Sequence, residues 1–338
     1  MSKEDLDSIF EIFSNKYNIK IGKFLGKGGN GEVREVIYKG ETFAGKLIQS
    51  ENYKIDIISA LKGPNIVNIC ENFVENLNSK TYLLFIMEKA LKDLSDFHKS
   101  LSEDFSLINN VFIEKIGDNL LKFLVKQIID GLEQLERNEY LHFDIKPENI
   151  LVYSDLSIKL SDFGLLREVS NIENIYVPGG TPGFLSPEYY HSKHISVELA
   201  KKMDYFSLGS TIFFLKYGKL IYKICKEDNK REIQENIIYS IPKAKHFIQS
   251  KNKCNRDFVN FLCDLIETSP NSRPSFEEIY RNRWVNKNLK FIKKLLEGHG
   301  EDEQKFIMEI KKSDYLFRKK KCFENSRKNK KKFIFKKF

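Results

Sequence analysis

This chain of 338 residues has no apolar run that approaches the roughly 18 residues a membrane-spanning helix needs, so none is expected. Its first residues are charged and include no continuous apolar stretch of the kind that forms a secretory leader. Cysteine is sparse. The five present, Cys70, Cys225, Cys254, Cys263 and Cys322, are scattered, odd in number and never at metal-knuckle spacing, which argues against disulfides and a zinc site. No glycine cluster ends in Gly-Lys-Ser or Gly-Lys-Thr, so a Walker phosphate loop is absent too. These absences predict a soluble protein with reduced thiols, cytoplasmic or nuclear.

An excess of one charge is also missing from most of the chain. The formal net charge of +9 is concentrated at the carboxyl end: residues 318–338 hold 11 Lys or Arg against Glu324 alone, leaving 45 basic and 46 acidic residues elsewhere. A neutral body argues against a nucleic-acid-binding protein. The tail has two readings. A block of like charge is commonly a solvated, disordered segment. Alternatively, Phe317, Phe323, Phe333, Phe335 and Phe338 interleave with lysines as in segments that contact anionic lipid or an import receptor. Richness in Lys, Asn, Ile and Phe along the whole chain leaves a compositional origin open.

Hydrophobic residues make up 41% and aromatics 13%, enough to bury a core and to exclude wholesale disorder. The length fits two lobes plus appendages. Residues 2–14 read as an amphipathic helix, with Ser2 as N-cap and Leu6, Ile9, Phe10 and Phe13 on one face. Residues 17–25 read as a strand, interrupted by Gly26-Lys27-Gly28-Gly29-Asn30-Gly31 and resumed over 32–38, with a third strand over 42–48. No helix opens after Gly31, as a Rossmann phosphate turn requires, so this glycine hairpin is of another kind. A short helix over 50–61 and strands over 66–73 and 82–87 complete a five-stranded sheet. Residues 91–101 read as helix, 102–118 as a polar insertion, and 120–137 as a long helix with Leu121, Leu124, Val125, Ile128 and Leu132 at helical spacing.

The densest chemistry lies in His142-Phe143-Asp144-Ile145-Lys146-Pro147-Glu148-Asn149, followed by the apolar Ile150-Leu151-Val152 and then by Asp162-Phe163-Gly164. Two carboxylates, an amide oxygen and an ammonium at this spacing are suited to holding divalent metal and a phosphoryl group beside a substrate hydroxyl. The pattern resembles the catalytic and metal-binding loops of the eukaryotic protein kinase family, Ser/Thr type. Further matches follow in order. Phe43-Ala44-Gly45-Lys46 resembles the family's V-A-I-K strand, with Gly in place of Ile. The stretch from Gly180 to Glu188 resembles the end of an activation segment, with Ser186 for the usual Ala.

The resemblance implies an α+β, two-lobed protein-kinase-like fold, with a small β-rich upper lobe bearing one short helix and a larger helical lower lobe. Its expected extent is a domain over 17–284, split into an upper lobe 17–87, a hinge 88–90 and a lower lobe 91–284. An N-terminal helical extension, 1–16, and a C-terminal extension with the basic tail, 285–338, flank it. The implied activity is transfer of the γ-phosphate of ATP, with Mg, to Ser or Thr of a protein substrate by a monomer. Asp144, Lys146 and Lys46 take the catalytic roles, and Asn149 and Asp162 hold magnesium. Leu25, Gly26, Gly28, Gly29, Gly31, Val33, Ala44, Lys46, Met87, Glu88, Ala90 and Asn149 contact the nucleotide. Glu188 is expected to pair with Arg273, Asp204 to cap the catalytic loop from below, and Trp284 to close the domain.

Two departures stand out against the family pattern. Phe143 occupies a position where most of the family has Arg, so a guanidinium that would pair with phosphate on the activation segment is missing. Lys54 falls where a Glu normally pairs with the strand Lys, and only 17 positions separate Lys46 from Gly63, about ten fewer than the resemblance implies. Glu51 or Asp56 is the replacement partner, Glu51 being favoured. The first departure predicts activity independent of activation-segment phosphorylation. The second sustains an alternative, a nucleotide-binding pseudokinase that acts through its tail.

Overall fold

Short runs rich in apolar residues near the start of the chain, continuous in the case of Tyr82 to Met87, fold as an antiparallel sheet of five strands, β1 (Lys20–Gly28), β2 (Gly31–Tyr38), β3 (Glu41–Gln49), β4 (Ile69–Leu77) and β5 (Lys80–Met87). Their order in the sheet is β1-β2-β3-β5-β4. The structure, a computed structural model, describes residues 3–28, 31–49, 61–103, 116–224, 229–252 and 255–287. The expected helix over 50–61, with Glu51, Lys54 and Asp56, lies outside the described residues but for Leu61. So do Gly29, most of the 102–118 insertion, and the 288–338 segment with the basic tail.

Both faces of this sheet are covered. On one face Ala44, Ile48, Leu83, Phe85 and Met87 join a core continuous with the helical lobe. On the other, Val36, Leu47, Leu84 and Ile86 meet Leu6, Ile9, Phe10 and Phe13 of the helix α1 (Lys3–Tyr17). An isolated helix of this length is marginal in water. Burying its four large apolar side chains, at roughly 1.5–3 kcal/mol each, makes it part of the lobe. The helix runs further than expected, and Tyr17 belongs to it rather than to a strand. Asn18 then adopts a left-handed conformation (φ 53°), which Asn tolerates at a helix end, and β1 begins only at Lys20.

A second correction concerns residues 66–73, expected as one strand. Val67 donates its N–H to Leu160 O at 2.9 Å and Leu160 donates to Asn65 O at 2.9 Å, so this stretch is committed to the strand Ile158–Leu160 of the lower lobe. Sheet pairing resumes at Ile69. A third concerns 91–101: Lys92–Asp93 pairs with the strand Ile150–Val152, and the helix Leu94–Glu103 starts after it. Asp93 Oδ1 accepts the N–H of Asp96 at 2.8 Å, an N-cap bond.

The lower lobe is helical. The helix Asp118–Arg137 buries Leu121, Leu124, Val125, Ile128, Leu132 and Leu135 on one side and carries the chain to the loop that starts at His142. The helix Val197–Tyr217, buried over most of its length, runs beneath that loop. Trp284 closes the lobe, its ring 5.0 Å from Phe258 and 5.5 Å from Phe261. Among the described residues no helix is long and apolar enough to cross a membrane.

Candidate active site

The loop from His142 to Asn149 hangs on one buried carboxylate. Asp204, on the helix Val197–Tyr217, accepts the backbone N–H of His142 at 2.8 Å and of Phe143 at 2.9 Å. Phe143 sits in the left-handed region (φ 63°), a conformation that costs a bulky residue energy, and these bonds help hold it there. His142 Nδ1 accepts the N–H of Asp144 at 3.2 Å, so Nε2 carries the proton and donates to Ser161 O at 3.0 Å. Burial lowers the pKa of His142, and the ring is neutral.

Three side chains converge on Asp144. Lys146 Nζ donates to Asp144 Oδ2 at 2.8 Å and to Thr181 Oγ1 at 2.5 Å, and Thr181 Oγ1 donates to Asp144 Oδ1 at 2.6 Å. Asn149 Nδ2 donates to Asp144 Oδ2 at 2.7 Å and to its carbonyl at 2.8 Å. Charge-assisted bonds to both oxygens fix the carboxylate in one orientation. They also turn the amide nitrogen of Asn149 inward, which leaves its oxygen as the atom able to meet a cation.

Opposite this cluster Lys46 of β3 donates to Asp162 Oδ1 at 2.6 Å. Asp162 is itself left-handed (φ 59°), and Phe163 after it is buried edge-on to His142, with ring centres 5.6 Å apart. The structure therefore gathers Asp144, Lys146 and Asn149 in one contact set and joins Lys46 to Asp162. Among the described residues Asp162 is the partner seen for Lys46. An amide oxygen and a carboxylate are the hard donors that magnesium takes, so the residues present fit that ion.

The strands place the remaining predicted residues. Val33 pairs in register with Lys46, and Ala44 with Met87. Leu25 lies on β1, partly exposed. Gly28 faces Gly31 where β1 turns into β2. A Cβ on Gly31 would lie 2.1 Å from Leu47 O, so only Gly fits. At Gly26 and Gly28 a Cβ would meet nothing within 4 Å, and their bare backbone stays open to a ligand. Gly45, the odd residue of its motif, is explained by packing: a Cβ there would come within 2.6 Å of Val36 Cγ1.

At the hinge the Glu88 carboxylate accepts from Lys159 Nζ at 2.7 Å through both oxygens and from the N–H of Asn68 at 2.8 Å. Its side chain is engaged with protein and its backbone N–H donates to Asn68 O at 3.3 Å, so its carbonyl is what Glu88 can offer a ligand. Glu188 and Arg273 form the expected pair, bidentate at 2.5 and 2.8 Å, with the guanidinium fully buried.

Some functional contacts have no signature in the sequence. Thr181 belongs to the stretch that resembles the end of an activation segment, and nothing local identifies it as a partner of Asp144 and Lys146, which lie 37 and 35 positions away. The Lys159 to Glu88 pair spans 71 positions and forms no motif. The surroundings of Phe143 are equally silent: it is buried with Val169, Ile175, Val177, Ile195 and Met203 in an apolar cluster separate from the main core.

Comparison with known proteins agrees with this architecture. The sequence pattern of the protein kinase domain matches residues 19–285, and the chain belongs to the protein kinase family. It is similar to smooth muscle myosin light chain kinase of Gallus gallus, at 27% identity over 289 residues, 82% of this chain and 14% of that protein. It is also similar to the probable serine/threonine-protein kinase fhkE of Dictyostelium discoideum, at 28% identity over 315 residues, 86% of this chain and 40% of that one. Mitogen-activated protein kinase kinase 2 of Arabidopsis thaliana is 28% identical over 284 residues, 78% of this chain and 71% of the relative. The chain thus spans less than half the length of the first two.

Proposed function

We propose that this chain is an active, Mg-ATP-dependent kinase that phosphorylates Ser or Thr of protein substrates and does not need phosphate on its own activation segment. The observation that supports it best is the convergence of Lys146, Asn149 and Thr181 on the Asp144 carboxylate at 2.6–2.8 Å. Held this way, Asp144 Oδ1 can exchange the Thr181 hydroxyl for that of a substrate, orient it and take its proton. Lys146 sits where it offsets charge that grows on the transferred group. Asn149 and Asp162 would hold magnesium, and Lys46, beside Asp162, would meet the nucleotide phosphates under the glycine hairpin. Bound Mg-ATP supplies the phosphoryl group and neutralises part of its charge. The serine/threonine kinases among the relatives support the choice of substrate hydroxyl.

Purified protein with Mg-ATP and a generic basic protein should transfer labelled phosphate, and Asp144→Asn should not. Equal transfer by the variant would reveal a contaminant and end the enzyme reading. The absence of Glu at position 54 favours a second reading, a nucleotide-binding scaffold. Nucleotide binding without transfer by the wild type would establish it.

Two observations support independence from activation-segment phosphate. Phe143 is apolar and buried, so it offers a phosphate nothing. A phosphate on Thr181 would remove the proton that its hydroxyl donates to Asp144 and would draw Lys146 away from that carboxylate, so it would dismantle the contact set rather than complete it. Phosphatase-treated protein is expected to keep its rate; protein that is inert until Thr181 or Ser170 is phosphorylated would overturn this part. For the segment 318–338 the proposal is a targeting role. Its deletion should leave transfer intact and abolish retention on anionic-lipid vesicles or nuclear accumulation, and unchanged behaviour in both assays would dismiss it.

A further inference from the structure

The helix α1 lies outside the residues that match the kinase family, yet it reaches β2 a few positions after the glycine hairpin. The contact runs through Arg34, three positions after Gly31 on β2. Arg34 Nε donates to Glu32 Oε1 at 2.6 Å, its Nη2 donates to Asp7 of α1, and its guanidinium lies 4.5 Å from the centre of the Phe10 ring. Glu32 is the first residue after the glycines and its side chain is only 5% exposed. A buried carboxylate needs a fixed counter-charge, and Arg34 provides it. Arg34 in turn is held by one carboxylate and one ring of α1. The next residue, Glu35, accepts from Lys89 of the hinge at 2.5 Å, so β2 is tied on one position to α1 and on the next to the hinge.

The sheet is shaped for this helix. Gly45, opposite Arg34 in register, stands where the family has Ile, and a Cβ there would collide with Val36 and touch Leu84, two residues of the cluster that α1 covers. The volume an Ile would fill on that face is given up, and α1 supplies apolar cover in its place.

We propose that α1 is a positioning element of the nucleotide grip, and that Asp7, Phe10, Arg34 and Glu32 form a clamp holding the glycine hairpin in its phosphate-binding shape. The effect on nucleotide rests on the kinase reading; the clamp itself does not. Asp7 is 45% exposed and its pair is screened by water, whereas Arg34 is 15% exposed. Asp7→Ala in the full chain is therefore expected to raise KM for ATP by about two- to fivefold with kcat unchanged, and Asp7→Glu to restore it. Arg34→Met, which strands Glu32, should raise KM by about tenfold or more.

The deciding measurements are KM and kcat together with hydrogen exchange of the backbone amides over residues 31–36. Faster exchange there in Asp7→Ala, with a raised KM and constant kcat, is the expected result. Unchanged exchange overturns the clamp whether or not ATP is turned over. Faster exchange with unchanged KM overturns its role in nucleotide binding. If the wild type neither binds nor uses ATP, the kinase reading falls, and exchange alone still judges the clamp.

Discussion

The loop His142 to Asn149 and the chain segment that leans on it, from Val169 to Val177, touch each other but are fastened by different forces. Within the loop, atoms meet one to one: Asp144 is reached by Lys146, Asn149 and Thr181, and Asp204 caps two backbone N–H groups. Along the segment, Phe143 is buried among Val169, Ile175 and Val177, with Ile195 and Met203 behind them. A polar contact depends on which atom stands at each end, while an apolar one depends on volume. The polar loop is therefore specified by residue identity, and its support by the space residues fill.

Substitutions should separate the two regimes. The largest effect is expected at Asp144: Asp144→Asn keeps the shape but loses the carboxylate proposed as the base, and phosphate transfer should fall about 10²–10⁴-fold. Arg273→Met leaves Glu188 charged and poorly solvated, and urea titration should show a loss of about 3–5 kcal/mol. Phe143→Leu sharpens the contrast most. It keeps most of the volume, so stability should fall by less than about 1.5 kcal/mol and transfer should persist, whereas Phe143→Ala should cost about 3–5 kcal/mol. A Phe143→Leu protein as inactive as Asp144→Asn would break the comparison, because identity rather than volume would then rule at both places.

The smallest effect is one of pH. Burial pushes the Asp204 carboxyl from 3.8 up to about 7, against the pull of the two N–H groups it accepts from. Folded protein then holds a proton that unfolded protein releases between about pH 4 and 7, so this group adds stability toward acid and loses that contribution as pH rises through about 7. His142 works oppositely. Its folded pKa lies below 6.5, so unfolded protein takes up the proton first and stability falls as pH drops below 6.5. The two offset each other in the wild type. Removing the acid by Asp204→Asn should expose the His142 contribution, giving a steeper loss of Tm between pH 7 and 5. An identical slope would show that Asp204 stays ionised in the fold.

What can be read from the sequence follows the same division. Asp144, Lys146, Asn149 and Asp162 can be named because their short spacings resemble the loops of the kinase family, and the five strands because short runs rich in apolar residues, bounded by turn residues, are local. The amphipathic face of α1 is legible, but not the sheet face it covers. Boundaries shift where distant groups intervene: Val67 is claimed by Leu160, far along the chain, before β4 can begin. Thr181 and Lys159 are invisible as site members because their partners are brought close only by the fold. Gly45 looks like a lapse in a motif until Val36 is seen to occupy its space.

The arrangement of α1 also bears on how the protein can be handled. The family match begins at residue 19, after the helix has ended. A recombinant fragment trimmed to that boundary would bare Val36, Leu47, Leu84 and Ile86, all fully buried in the intact chain, as one continuous sticky surface. Such a fragment should self-associate or precipitate even though every residue of the loop from His142 to Asn149 is present, because the helix of fifteen residues that keeps this face from water is gone.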